Sequence, residues 1–247
     1  MIRKTIAKKI QETDKEFRLR GDEVMRIEAF SDAVFAFAVT LLIVSLEVPK
    51  SFVELIQTMK GFVAFGISFL FLMLIWFEHN VFFRRYALAD VKIIFLNGCL
   101  LFIVLFYVYP LKFLASLVFN NITYATQSPV EIEREQVPGL MCIYGTGYII
   151  IYLLFFFMYA HASTKKEELE LTPTELFDTK TRMWSQLILV TVGVLSVIVA
   201  LVLPAEKSGM AGYIYFLIGP AFTFFYSFRR KIRRTLPNGN PAGTVQE

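Results

Sequence analysis

Residues 26–49 read RIEAFSDAVFAFAVTLLIVSLEVP, an apolar run of membrane-crossing length with an arginine and an aspartate at its front end. A helix needs roughly 20 apolar residues to cross the hydrocarbon core. An ionised side chain inside such a span costs about 2.5–3.5 kcal/mol or more, so by default it belongs to a functional site or a buried pair. Arg26 and Asp32 therefore mark this helix as more than an anchor.

Working outward, five further stretches have the same length and character, at about 56–77, 93–118, 140–160, 184–203 and 211–228. With 56% hydrophobic residues, 26 phenylalanines and a mean hydropathy of +0.56 over 247 residues, the chain is far too apolar for a soluble domain. The composition predicts an all-α integral membrane protein with six transmembrane helices. No charged-then-apolar leader with a small-residue cleavage site precedes the first span, so no removable signal is expected.

Basic residues fix the expected orientation. They crowd the segment up to Arg26, the loop with Arg84, Arg85 and Lys92, the loop with Lys165, Lys166, Lys180 and Arg182, and the stretch Arg229 to Arg234. The opposite loops hold only Lys50, Arg134 and Lys207, with Lys60 and Lys112 inside apolar stretches. Both termini are thus expected in the cytoplasm. The organisation predicted is a cytoplasmic N-terminal segment (1–25), a six-helix transmembrane domain (26–230) and a cytoplasmic tail (231–247). A pI near 9.0 raises nucleic acid as a partner, but the basic residues cluster beside the spans, where they set topology and meet anionic lipid, so no nucleic-acid partner is expected. Cys99 and Cys142 lie in apolar segments without paired spacing and read as packing residues.

Local signals punctuate the spans. Ser51 with Glu54 makes a capping box straight after Pro49, so the first two helices should be antiparallel neighbours. Thr172-Pro173-Thr174-Glu175 is a second box, which starts helix five well before its apolar part. Pro110 and Pro220 fall inside spans and should kink or interrupt them. No nucleotide motif, zinc spacing or nucleophile elbow appears, so neither an enzyme, a metal nor a cofactor is expected. Tyr144-Gly145-Thr146-Gly147-Tyr148 resembles a TVGYG filter, but it lies inside an apolar span, where small residues more simply permit close helix contact.

With the topology fixed, polar residues can be placed by depth. Asp32 lies six residues into helix one, roughly 9 Å deep at ~1.5 Å per residue. His79 ends helix two at the same side, and Asn97 is roughly 7–8 Å into helix three. Arg26, Asp32, His79 and Asn97 thus share one level, with Arg26 and His79 the obvious partners for the carboxylate. A structural staple between helices and a proton-relay cluster both remain open, while one His and one Asp are too few ligands for a metal. Beyond Asp32, Phe37, Leu41, Val44 and Val48 form one stripe with Thr40 on its border. On pattern alone that stripe is either packing surface or a pore lining that gates by dewetting.

The motif Arg26-x-x-x-Phe30-Ser31-Asp32 and the continuation AVFAFAVTLLIVSLEVP closely resemble helix one of the transmembrane protein 175 family. Trp76-Phe77-Glu78-His79-Asn80 and Asn97-Gly98 resemble its second and third helices. The resemblance implies a potassium-permeable cation channel of the prokaryotic single-repeat kind. It would be a homotetramer in an inner cell membrane, with a central pore lined by helix one and no TVGYG filter. Carried over by position, it implies a constriction at Phe37, Leu41 and Val44, a selectivity layer at Thr40, and a supporting polar network of Arg26, Ser31, Asp32, His79 and Asn97. It brings no cofactor, only potassium and other monovalent cations as the permeant species, with potassium passing near Thr40. Phe37 departs from the pattern, standing where a smaller aliphatic residue is expected, so four rings would crowd the pore. The rival reading is a proton-coupled secondary transporter using Asp32 and His79. Against it, no repeat links residues 1–118 to 119–247 and the proline breaks are unmatched between the halves.

Overall fold

Each apolar run becomes a helix because a backbone inside lipid must satisfy its own polar groups. The computed structural model describes residues 17–21, 23–44, 50–123 and 132–233. Its helices are α1 (Arg26–Val44), α2 (Phe52–Tyr86), α3 (Val91–Thr123), α4 (Val137–Thr164), α5 (Pro173–Val202) and α6 (Ile218–Arg233). Short 3-10 turns at Arg134–Gln136 and a longer 3-10 stretch at Ala205–Leu217 lead into α4 and α6. Five segments are long and apolar enough to cross a membrane: Phe65–Tyr86, Val91–Leu114, Arg134–Thr164, Pro173–Val202 and Ala205–Arg233. The chain is an integral membrane protein. The remaining apolar helix, α1, is 19 residues as described, about 28 Å long, and its apolar sequence runs on into residues outside the described set.

Helix starts are set by capping. Leu55 donates its backbone N–H to the Ser51 carbonyl at 2.9 Å to open α2, while the Glu54 side chain expected in that box lies outside the described residues. At α5 the expected box is complete: the Glu175 N–H donates to Thr172 Oγ1 (3.2 Å) and the Thr172 N–H to Glu175 Oε2 (3.0 Å). Asp90 caps α3, accepting the Ile93 N–H at 3.0 Å, a cap the sequence reading did not name.

The two prolines sit in different settings. α3 runs through Pro110 without interruption, and neighbouring hydroxyls serve the carbonyls around it, with Tyr144 donating to that of Pro110. The last span is not a single α-helix with a kink. Its first part winds as a 3-10 stretch and becomes α-helical at Ile218, so Pro220 falls in the first turn of α6, where a missing N–H costs nothing.

Packing gives α1 its place. α1 lies on α2 and α3, burying Phe35 and Leu42 against Leu72, Phe83, Leu100 and Val104, while α4 adds Phe155, Met158 and Tyr159 to the same core. α4 and α5 approach closely through glycine: a Cβ on Gly145 would sit 2.3 Å from Val197 Cγ2, and one on Gly193 2.8 Å from Ile149 Cγ1. Gly147 faces the Tyr107 ring in the same way, so the Tyr144–Tyr148 stretch is helix-packing surface within α4. The helix ends rich in lysine and arginine, those of Arg26, Arg84 and Arg233, form what is called here the basic end, and the opposite end the distal end.

Candidate functional site

The two faces of α1 have different fates. Glu28, Ser31, Phe35, Ala38 and Leu42 are buried, a helical series along one face. Arg26, Ala29, Phe30, Ala33, Ala36, Phe37 and Thr40 are exposed and line the opposite face. No described helix of the same chain covers that second face, and Phe37 is 57% exposed.

On the buried face a polar relay holds α1. Ser31, fully buried, donates to the Ile27 carbonyl of its own helix (2.7 Å) and accepts a hydrogen bond from Asn97 Nδ2 of α3 (2.9 Å). Asn97 Oδ1 lies 2.9 Å from His79 Nε2 of α2, which fits an imidazole that carries its proton on that nitrogen. The His79 ring is wedged between Phe35 and Phe83, with centroids at 5.5 and 4.6 Å. Three helices are therefore joined by one unbroken chain: Ile27, Ser31, Asn97, His79.

Asp32 stands beside this relay and outside it. Its Oδ1 accepts from Trp76 Nε1 at 2.8 Å, so Trp76 takes the place expected of Arg26 or His79. The reason is angular: Trp76 and His79 lie one turn apart on one face of α2, while Asp32 stands about 100° round α1 from Ser31, so Trp76 meets the carboxylate and His79 meets the Asn97 amide that holds Ser31. Arg26 is exposed at the start of α1 and makes no ion pair among the described residues. Of the five expected network residues, the structure joins Ser31, His79 and Asn97 directly and leaves Asp32 adjacent and Arg26 apart.

Further along, Thr40 Oγ1 donates to the Phe37 carbonyl at 2.7 Å. The hydroxyl proton is thus spent on its own helix, and the oxygen lone pairs are left to the uncovered face. Leu41 sits half-buried at the boundary of the two faces and packs on the core. Val44 closes the described helix, but its side chain, like Val48, lies outside the described residues.

Three groupings at the basic end were not anticipated. Glu78 on α2 is a hub: Oε1 accepts from Tyr159 of α4 (2.7 Å) and Gln186 of α5 (2.7 Å), and Oε2 pairs with Arg182 of α5 (3.1 Å). Ahead of α1, Arg20 pairs with the buried Glu175 at 3.0 Å and donates to the Leu169 carbonyl at 2.8 Å, while the N–H groups of Arg20 and Gly21 bind the Arg84 carbonyl. Phe17 is buried there, edge-on to Tyr86 and under Arg85. Finally, Asp90 and His161 are in direct contact, with Lys165 at 4.0 Å from the same carboxylate. Burial pushes the Asp90 carboxyl up, but the His161 bond, the Ile93 N–H and Lys165 together hold it below its ordinary value. Single polar residues at helix ends gave the only signal for these groupings in sequence.

A family model described as "Endosomal/lysosomal potassium channel TMEM175" matches residues 26–107. A potassium channel of Marivirga tractuosa is 37% identical over 230 residues, covering 89% of this chain and 93% of its own length. The chain belongs to the TMEM175 family. A crystal structure of a variant of the potassium channel MtTMEM175, in complex with a nanobody–MBP fusion, has a TM-score of 0.78 at 37% identity, over 87% of this chain and 97% of that one. A potassium channel of Chamaesiphon minutus is 29% identical over 150 residues, 58% of this chain and 67% of that relative. These TMEM175 relatives are channels, not enzymes. The stretch that the TMEM175 model matches holds α1, α2 and the first half of α3, and with them the whole Ser31–Asn97–His79 relay and the Asp32–Trp76 pair. The partners of Glu78 on α4 and α5 fall outside it.

Proposed function

We propose that four copies of this chain surround a central potassium-permeable pore lined by the uncovered face of α1. One observation carries the reading. A helix bearing a costly aspartate is clamped from behind by a buried polar relay, while its opposite face is left bare by the other described helices. The relatives named as potassium channels support potassium as the permeant ion.

In this reading Phe37, Leu41 and Val44 form the constriction, and four Phe37 rings narrow it most. Thr40 supplies the selectivity layer: with its proton donated to Phe37 O, its oxygen is free to meet a partly dehydrated cation. No TVGYG filter is needed, and the helical packing of Gly145 and Gly147 supports a pore without one. Ser31, Asn97 and His79 fix the rotation of α1, Asp32 with Trp76 holds it to α2, and Arg26 is left to meet a neighbouring copy. The basic end faces the cytoplasm by the positive-inside rule, placing both termini there, in a prokaryotic inner membrane whose anionic lipids meet the basic residues.

The test is a bi-ionic recording from purified protein, potassium on one side and sodium on the other. A unitary current reversing toward the potassium equilibrium potential is expected, and Leu41→Ala and Val44→Ala should raise conductance or weaken selectivity. Variants indistinguishable from wild type in both would refute this lining.

A further inference from the structure

The uncovered face of α1 has two unlike flanks. Arg26, Phe30 and Phe37 follow at i, i+4 and i+11 and make a stripe of large side chains. Beside it Ala29, Ala33, Ala36 and Thr40, at i, i+4, i+7 and i+11, make a stripe of small ones. On the small side the face opens into a crevice of about 360 Å³ between α1 and α2. Ala36 and Val39 form its α1 wall, Leu72, Met73 and Trp76 its α2 wall, and Phe35 the side toward the core. The Asp32 carboxylate lies at one end, tied to Trp76, and the rest of the lining is apolar.

Copies related by rotation about one axis meet head to tail, so one flank of each α1 faces the opposite flank of the next. The large stripe of one copy then meets the small stripe of its neighbour, where alanines let two helices approach closely. Rotation also keeps every residue at its own height. Phe37 stands about 1.5 Å distal of Ala36 and about 3 Å short of Val39, so its ring arrives at the level of the neighbour's crevice. We propose, on the basis of the tetrameric channel reading, that the crevice of each copy is the seat for the Phe37 ring of the adjacent copy, and that movement of the ring between pore axis and seat is the gate. With the rings on the axis the pore is shut. With the rings seated against Met73 and Val39 of the neighbour, the constriction is left to Leu41 and Val44. A phenylalanine in a helix has two favoured χ1 wells, near 180° and −60°, so the swing needs a side-chain rotation and no shift of α1, which the buried relay holds in place.

The experiment is single-channel recording of the purified full-length protein in planar bilayers, with potassium on both sides. Met73→Phe fills the crevice from the α2 wall, away from the pore. It should lower the ratio of open to closed time at least about tenfold with unitary current unchanged, tenfold being the low end of what burying a phenylalanine ring contributes. Phe37→Ala removes the ring and should hold the pore open, and in that background Met73→Phe should have no effect on the ratio. Ala36→Leu fills the same crevice from the α1 wall; it should lower the open fraction in the same Phe37-dependent way and serves where Met73→Phe fails to assemble. An open fraction equal to wild type in the filled variants overturns the proposal. So does an equal fall with and without Phe37, which would make the crevice a seat for a lipid tail or a packing defect between α1 and α2. Wild-type protein that passes no potassium current overturns the channel reading itself, a distinct result.

Discussion

Replacing Asn97 by leucine should be the most damaging conservative change in the relay. The substitution removes two hydrogen bonds between helices, Nδ2 to Ser31 and His79 to Oδ1, both at 2.9 Å. Such bonds between membrane helices contribute about 0.6–1.7 kcal/mol each. It also strands the fully buried His79 ring, whose Nδ1 already has no partner among the described residues. A buried donor left unmade costs about 1–3 kcal/mol. The sum is about 2–6 kcal/mol, while Ser31 keeps its bond to the Ile27 carbonyl. The double variant His79→Phe/Asn97→Leu leaves no stranded nitrogen and keeps a ring against Phe35 and Phe83, so it should recover roughly 1–3 kcal/mol relative to the sum of the singles. Equilibrium unfolding of the four proteins in mixed detergent micelles gives the cycle. If the two changes add within about 0.5 kcal/mol, the His79–Asn97 bond does not hold the relay and the reasoning fails.

Two further outcomes follow from the basic end. Glu175→Ala removes the partner of Arg20 and one half of the α5 capping box, with both side chains of the pair largely buried, so it should cost about 3 kcal/mol or more. It should also release residues 17–21, so that trypsin cuts after Arg18 and Arg20 sooner than in wild type; equal cleavage rates by mass spectrometry would count against a pinned strap. Asp90 has its carboxyl held below its ordinary value, so its ionised form stabilises the fold fully above about pH 4, near the unfolded value, and that contribution is lost as pH falls below it. Unfolding midpoints measured from pH 7 to pH 3 should therefore fall more steeply for wild type than for Asp90→Asn over the acid limb, and parallel curves would exclude the linkage.

What the sequence made legible is what depends on length and depth. Apolar runs set six helices because lipid leaves the backbone no other choice, and the Thr172–Glu175 box opens α5 where its residues say it should. Counting rise per residue also placed Arg26, Asp32, His79 and Asn97 at one level. It could not say who meets whom, because rise fixes height and not the rotation of one helix against another. Hence Trp76, one turn from His79, takes Asp32, and Asn97 takes His79. The Glu78 hub was hidden for a stronger reason. Its partners stand 81 to 108 residues away on helices whose order in the bundle no local pattern encodes. The 3-10 winding of Ala205–Leu217 was equally silent, since hydropathy reads the same for either winding.

The same limit applies to α1, and here it bears on function. The helix is apolar nearly all round, so hydropathy alone cannot tell a face that meets lipid from one that meets a pore or a second copy. The distinction comes from what each face lacks. On the buried side a serine with no exposed surface is tolerable only because Asn97 and the Ile27 carbonyl complete its hydrogen bonds, and that requirement fixes the rotation of the helix. Once the rotation is fixed, Phe37 and Thr40 face away from the other described helices of their chain. Thr40, already bonded to its own helix, needs no partner there and retains acceptor capacity toward whatever occupies that side. A lipid tail makes no use of such an acceptor, whereas a dehydrated cation does.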